Sequence, residues 1–165
     1  MRGALFYLVA YVFMIAGTFG VVALLARRHE RHTSLDDYRN LFHREPVLAA
    51  VMTFFLFAMT GIPGTSGFVA KFAVFSGVAA AHEWVLLTVA TVSTVISAFF
   101  YLRLVTYMYM QHEAADGVPV PEALPRIRWA PATAIAILIT VFFTIQLGIL
   151  PQGLLDMAAK ATFLF

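Results

Sequence analysis

Apolar runs of about 20 residues recur along this chain, and each is long enough to cross a bilayer core of roughly 30 Å as one helix. No other feature narrows the possible folds so far. Inside hydrocarbon no water is at hand to pair with N–H and C=O groups, so the backbone must satisfy itself. The composition agrees: 61% of residues are hydrophobic and 12% charged, with a mean hydropathy of +0.85, well outside the range of soluble domains. The expected fold class is an all-α integral membrane module of four transmembrane spans, and 165 residues leave no room for a separate soluble domain.

The first run, 3–26, is uncharged and is closed by Arg27, Arg28 and Arg31. Its length and the basic cluster behind it are unlike a cleavable signal peptide. A polar loop follows to Glu45, carrying Arg39, Arg44, the acidic pair Asp36–Asp37 and the histidines His29, His32 and His43, read as a solvated loop. Pro46 opens a long apolar segment that ends at Ala81, ahead of His82 and Glu83. The third span is expected at 84–110 and the fourth at 129–150, with a loop containing prolines and acids between them. After Pro151, Leu154, Leu155, Ala158 and Ala159 recur at helical spacing around Asp156 and Lys160, which suits a short C-terminal interfacial helix. Trp84 and Trp129 stand where belt aromatics stand.

The segment 46–81 has the length to cross twice as a hairpin or once as a broken helix. Charge distinguishes the two. A single crossing puts Arg27, Arg28, Arg31, Arg39, Arg44, Arg126 and Arg128 on one side against Arg2 and Lys160 on the other. A hairpin splits the same charges less cleanly, so the positive-inside rule favours one broken crossing, with both termini outside.

Lys71 is the only charge in that segment. Keeping a lone ammonium in hydrocarbon costs several kcal/mol, and such a residue is retained where it faces protein or water and has a task. Just before it lies Gly61-Ile62-Pro63-Gly64-Thr65-Ser66-Gly67. Gly61, Gly64 and Gly67 relax the backbone, and Pro63 removes an N–H and clashes with a continuing helix. A break at 61–67 is expected, with Thr65 or Ser66 capping the second half-helix. Discontinuous helices are where transporters place ion and proton sites. Lys71 lies 11 residues before His82, roughly 16 Å of helix and close to the bilayer midplane. Desolvation and the positive end of the second half-helix both act against its charge, as a group that takes up and releases protons requires. The plainer reading is a lysine that snorkels or pairs with an acid on a partner.

On the third span Ser93, Thr94, Ser97 and Tyr101 fall within an arc of roughly 100°. They form a candidate hydrated path to Lys71, or else ordinary small-residue and hydroxyl packing between helices. Arg103 is on the opposite face, near enough to the helix end to snorkel. No cysteine is present, which excludes disulfides, thiolate metal sites and cysteine nucleophiles. No phosphate loop, catalytic triad or paired catalytic carboxylates can be assembled. No metal or cofactor-binding residue is expected, nor a nucleic-acid partner, since the arginines read as topology signals.

The run MTFFLFAMTGIPGTSGFVAKFAVFSG, then SAFFYLRLVTYMYM, closely resembles the C-terminal part of the subunit N family of bacterial NADH-quinone oxidoreductase, respiratory complex I. These are antiporter-like, proton-translocating membrane subunits. ALFYLVAYVFMIAGTFGVV and LDDYRNLF resemble that family's consecutive segments in the same order. The Gly-Ile-Pro break followed by Phe-Val-Ala-Lys-Phe is the most specific part. The related subunit M family usually has glutamate where Lys71 stands. Subunit L and the multisubunit sodium/proton antiporters usually differ around the lysine.

The resemblance implies the last four spans of a fourteen-helix subunit, in the bacterial plasma membrane. It also implies that Lys71 matches the lysine at the outer end of the proton path. A complete member has two inverted repeats, and its glutamate–lysine pair and central lysine lie upstream of the segment seen here, so the chain is expected not to pump alone. The implied partners are the other membrane-arm subunits, the lipid bilayer and the N-terminal part of its own subunit. NADH, FMN, iron–sulfur clusters and quinone belong to other subunits, so the chain would be part of an NADH:quinone oxidoreductase translocase without redox chemistry of its own. The competing expectations are a cation/proton antiporter subunit and a small structural or assembly membrane protein.

Overall fold

The computed structural model describes residues 2–26, 38–110, 131–154 and 157. Every regular element among them is a helix: α1 (Arg2–Ala26), α2 (Leu41–Arg44), α3 (Pro46–Thr60), α4 (Ser66–Ala80), α5 (Trp84–Tyr109) and α6 (Pro131–Ile149). α1 (from Gly3), α5 and α6 are each long and apolar enough to cross a bilayer alone. At 15 residues apiece, α3 and α4 are not. Each spans about 22 Å at 1.5 Å per residue, so they make one crossing only together. Their mutual packing with α1 shows that they do.

Along α1 the buried positions are Phe6, Ala10, Met14, Gly17, Val21 and Leu24, one stripe at the three-and-four spacing of a helix face. That stripe meets the broken segment in strictly reversed order. Val21 and Leu24 share a core with Leu48 and Met52. Gly17 lies against the Phe55 ring, and Met14 against Ala58 and Gly67. Phe6 and Ala10 pack with Ala70, and Gly3 lies against the Ala73 backbone. A hairpin would turn back along α1; this sequence of contacts runs on. The segment 46–80 is therefore one discontinuous span, antiparallel to α1, in agreement with the charge argument.

α6 is also antiparallel to α1. Ile137 meets Gly20, the rings of Phe13 and Phe143 stack at 4.7 Å, and Leu147 joins Phe6 and Ala10. α5 pairs with the broken span, its Met108 end in the core with Leu48 and Leu41, its Tyr101 beside Met59. The C-termini of α1 and α5 and the N-termini of α3 and α6 thus share one side. The surface away from these contacts is a lipid-type belt: Leu8, Val12, Phe19, Val85, Phe99, Leu138 and Phe142 are all exposed.

Two expectations change in detail. The stretch before Pro46, read as polar loop, includes the turn α2, because Leu41 buries against Leu48 and Met108 and pulls that turn onto the bundle. The third span ends at Tyr109 rather than Met110. Of the expected C-terminal interfacial helix only residues 152–154 and 157 are described, all helical; the rest, like Trp129 and the histidines His29 and His32, lies outside the described residues.

Candidate functional site

The break is built by two different devices. α3 stops in a Schellman motif: Gly61, at φ 97°, donates its N–H to the Ala58 carbonyl (3.1 Å), and Ile62 donates to the Phe57 carbonyl (3.2 Å). These bonds satisfy two of the four carbonyls a helix end leaves open. The Met59 and Thr60 carbonyls remain, at membrane depth, where an unpaired backbone oxygen is costly. Lys71 supplies the donors. Its Nζ donates to Met59 O at 2.8 Å and to Thr60 O at 2.9 Å.

α4 begins differently from the expected cap. Thr65 holds the N-cap position with extended backbone, yet its hydroxyl donates backward to the Ile62 carbonyl at 2.7 Å instead of accepting from the helix. Ser66 is fully buried and its Oγ has no hydrogen-bond partner. Pro63 and Gly64 lie exposed in the turn between the two halves, Gly64 at φ 91°. Gly67 has a separate role, since a side-chain carbon there would run into the Ala58 carbonyl oxygen. It lets α4 start tight against the end of α3.

This arrangement corrects the electrostatic expectation for Lys71. Its backbone is about one turn into α4, as the sequence indicates, but the extended side chain carries the ammonium back past Gly61 to the C-terminal end of α3. The ammonium meets the negative end of one half-helix rather than the positive end of the other.

Lys71, together with Met59, also borders a cavity of about 480 Å³ between α1, α3, α4 and α5. Ser93, Thr94, Ser97 and Tyr101 all line it, so the structure brings together the lysine and the hydroxyl face read from the sequence. Thr94 Oγ1 and Ser97 Oγ donate to the Ala90 and Ser93 carbonyls of their own helix, at 2.9 and 2.8 Å. These hydroxyls do not bridge to another helix; they turn lone pairs outward as acceptors. Tyr7 and Tyr11 on α1 line the same cavity with rings stacked 5.4 Å apart. Sequence reasoning missed them, although two tyrosines four residues apart in an otherwise apolar run mark one helix face. No carboxylate lines this cavity among the described residues. A second cavity, about 300 Å³, shares Ala4 and Val74 with the first and reaches Glu83 at the far end of α4. No three His, Asp or Glu side chains lie together among the described residues.

Comparison with known proteins adds the family context. Residues 1–97 match the family described as NADH:quinone oxidoreductase/Mrp antiporter, transmembrane. The chain is 41% identical over 165 residues to NADH-quinone oxidoreductase subunit N of Saccharopolyspora erythraea, covering 99% of this chain and 30% of the relative. It is 41% identical over 161 residues to NADH-quinone oxidoreductase subunit N 3 of Streptomyces griseus, covering 98% of this chain and 28% of that protein. The chain therefore spans less than a third of the length of these relatives. Among solved structures it is similar to a chain of respiratory complex I from Thermus thermophilus with bound aureothin. There the TM-score is 0.66 at 25% identity, over 92% of this chain and 33% of the other.

Proposed function

This chain belongs to the NADH:quinone oxidoreductase/Mrp antiporter family of membrane proteins, and from that premise we propose that it is the C-terminal module of a subunit N-type proton channel with Lys71 as its exit-side proton carrier. The observation that carries the reading is the setting of that one ammonium. An ammonium has three N–H donors; two are held by the Met59 and Thr60 carbonyls, and the third is left for the cavity. A proton therefore has a fixed post with one open side. Water in the cavity, donating to the outward lone pairs of Thr94 and Ser97, connects that side to Tyr101 and Tyr11.

Protons arrive from upstream stations in the remainder of the subunit and leave past Ala4 and Val74 toward Glu83, on the outer side of the bacterial plasma membrane. Both termini lie on that side. The driving reaction is quinone reduction in other subunits of a respiratory complex I, with which this chain assembles; it carries no redox chemistry itself. Exchange of sodium or potassium is the weaker alternative. A cavity lined by a cation and, among the described residues, by no carboxylate repels a second cation instead of holding it.

The test replaces Lys71 by Ala in the corresponding full-length subunit and measures NADH-linked proton pumping in membranes. Pumping is expected to be largely lost while the complex still assembles. Unchanged pumping in an assembled complex would sink the proposal.

A further inference from the structure

We propose that α6 sets the position of the Lys71 ammonium from outside the cavity, with Gly148 and Thr65 as the positioning residues. Among the described residues, none of α6 lines that cavity. The helix instead meets the turn between α3 and α4. A side-chain carbon at Gly148 would come within 2.5 Å of the Gly64 carbonyl oxygen and 2.7 Å of the Thr65 Cα. Both are backbone atoms, so no change of rotamer could make room. The same turn meets Lys71 at its first residue. The lysine Cδ and Nζ pass 3.3 and 3.7 Å from where a Gly61 side chain would start. The turn therefore touches α6 at Gly64 and Thr65 and touches Lys71 at Gly61.

Thr65 joins these two contacts. Its hydroxyl donates to the Ile62 carbonyl at 2.7 Å and its N–H to the same oxygen at 3.2 Å. The residue that Gly148 touches is thereby tied to the one beside Gly61. Gly61 and Ile62 claim the Phe57 and Ala58 carbonyls, which leaves those of Met59 and Thr60 for Lys71. α6 is the firm side of the contact. Phe143 stacks on Phe13, and Leu147, next to Gly148, is buried with Phe6, Ala10 and Ala70. Ile62, Pro63 and Gly64 are exposed, and an exposed turn yields before a packed helix does. Anything added at Gly148 thus displaces the turn, and with it the two oxygens that hold the ammonium. Small misplacements of that kind are costly wherever a transfer depends on geometry.

The effect on pumping rests on the reading of Lys71 as the proton carrier, so positioning and carriage are tested apart. Thr65→Val keeps the shape and the N–H bond to Ile62 but loses the hydroxyl. In the corresponding full-length subunit it should lower NADH-linked proton pumping about fivefold, the factor that one ordinary hydrogen bond corresponds to, with the complex assembled. Thr65→Ser, which keeps the donor, should restore it. Full pumping by Thr65→Val overturns the proposal if Lys71→Ala abolishes pumping in the same assay. If Lys71→Ala also pumps, the carrier reading is what fails, and melting of the full chain in detergent decides the positioning. There Gly148→Ala should lower the unfolding temperature, and lower it less when Lys71→Ala is also present, because the displaced carbonyls then have no ammonium to lose. Independent sites add. Equal drops in the two backgrounds would mean that Gly148 only packs, and would overturn the proposal.

Discussion

Lys71 satisfies two carbonyls and faces a cavity, and these two roles make different demands on the side chain. Holding the carbonyls needs only donors. Carrying a proton needs a group that can lose one. Arginine separates them, because a guanidinium keeps its donors and its charge but stays protonated in proteins. Lys71→Arg in the full-length subunit is expected to leave assembly intact and abolish NADH-linked pumping. Pumping at the unsubstituted rate would show that Lys71 only closes the end of α3. The sequence makes the charge conspicuous, since nothing else in 46–81 is ionisable in its neighbourhood. The acceptors were not legible in the same way. Backbone oxygens carry no residue signature, and only the Gly61 stop, which claims the Phe57 and Ala58 carbonyls, determines which two are left over. The tyrosines of α1 were legible in principle through their spacing, but a hydroxyl on a membrane helix has packing roles as well.

At the scale of elements, the broken span depends on close approach as much as on flexibility. Gly67 faces the Ala58 carbonyl across the break, whereas Gly77, ten residues on in the same half-helix, has nothing within 4 Å of where a side chain would start. The same substitution should therefore act in opposite directions. Gly67→Ala must push α4 off the end of α3 and is expected to destabilise by about 1–3 kcal/mol, the range for overpacking. Gly77→Ala should be neutral or stabilising by up to about 1 kcal/mol, from helix propensity alone. Thermal unfolding of the two variants in the same detergent compares them directly, and equal shifts would refute the account of Gly67. The position of the break was readable because Gly61, Pro63 and Gly64 forbid a continuous helix. Its fine structure was not. Thr65 fits the composition of a cap, but Ile62 offers its carbonyl within reach and takes the hydroxyl.

For the molecule as a whole, the antiparallel order of spans fixes relative sides, and the arginine bias is the ground for proposing which side is inside. Because the sequence contains no cysteine, one introduced at a time reports cleanly. His82 and Met110 flank α5 at opposite ends. A cysteine at His82 should react with an impermeant reagent added outside intact cells, and one at Met110 should react only after permeabilisation. The reverse pattern would invert the positive-inside reading while leaving the fold unchanged. A single crossing for 46–80 was legible from loop charge alone, and the contacts of α1 agree, because charge placement and helix packing must both fit one topology.

The bundle itself predicts what the chain does alone. α5 buries only Met108 among its residues, and the Lys71 cavity lies along its loosely covered half. A cavity with an ammonium in its wall cannot be left against lipid tails at small cost, so a protein surface is needed to close it. The relatives, more than three times as long as this chain, have further sequence from which to supply one. Proton transfer also requires groups that exchange with Lys71, and the described lining offers hydroxyls without a carboxylate. Reconstituted by itself into vesicles with an imposed membrane potential, the chain should conduct protons no faster than empty vesicles do. Conduction clearly above that background, abolished by Lys71→Ala, would mean that these four spans form a complete path and that the proposed dependence on the rest of the subunit is wrong.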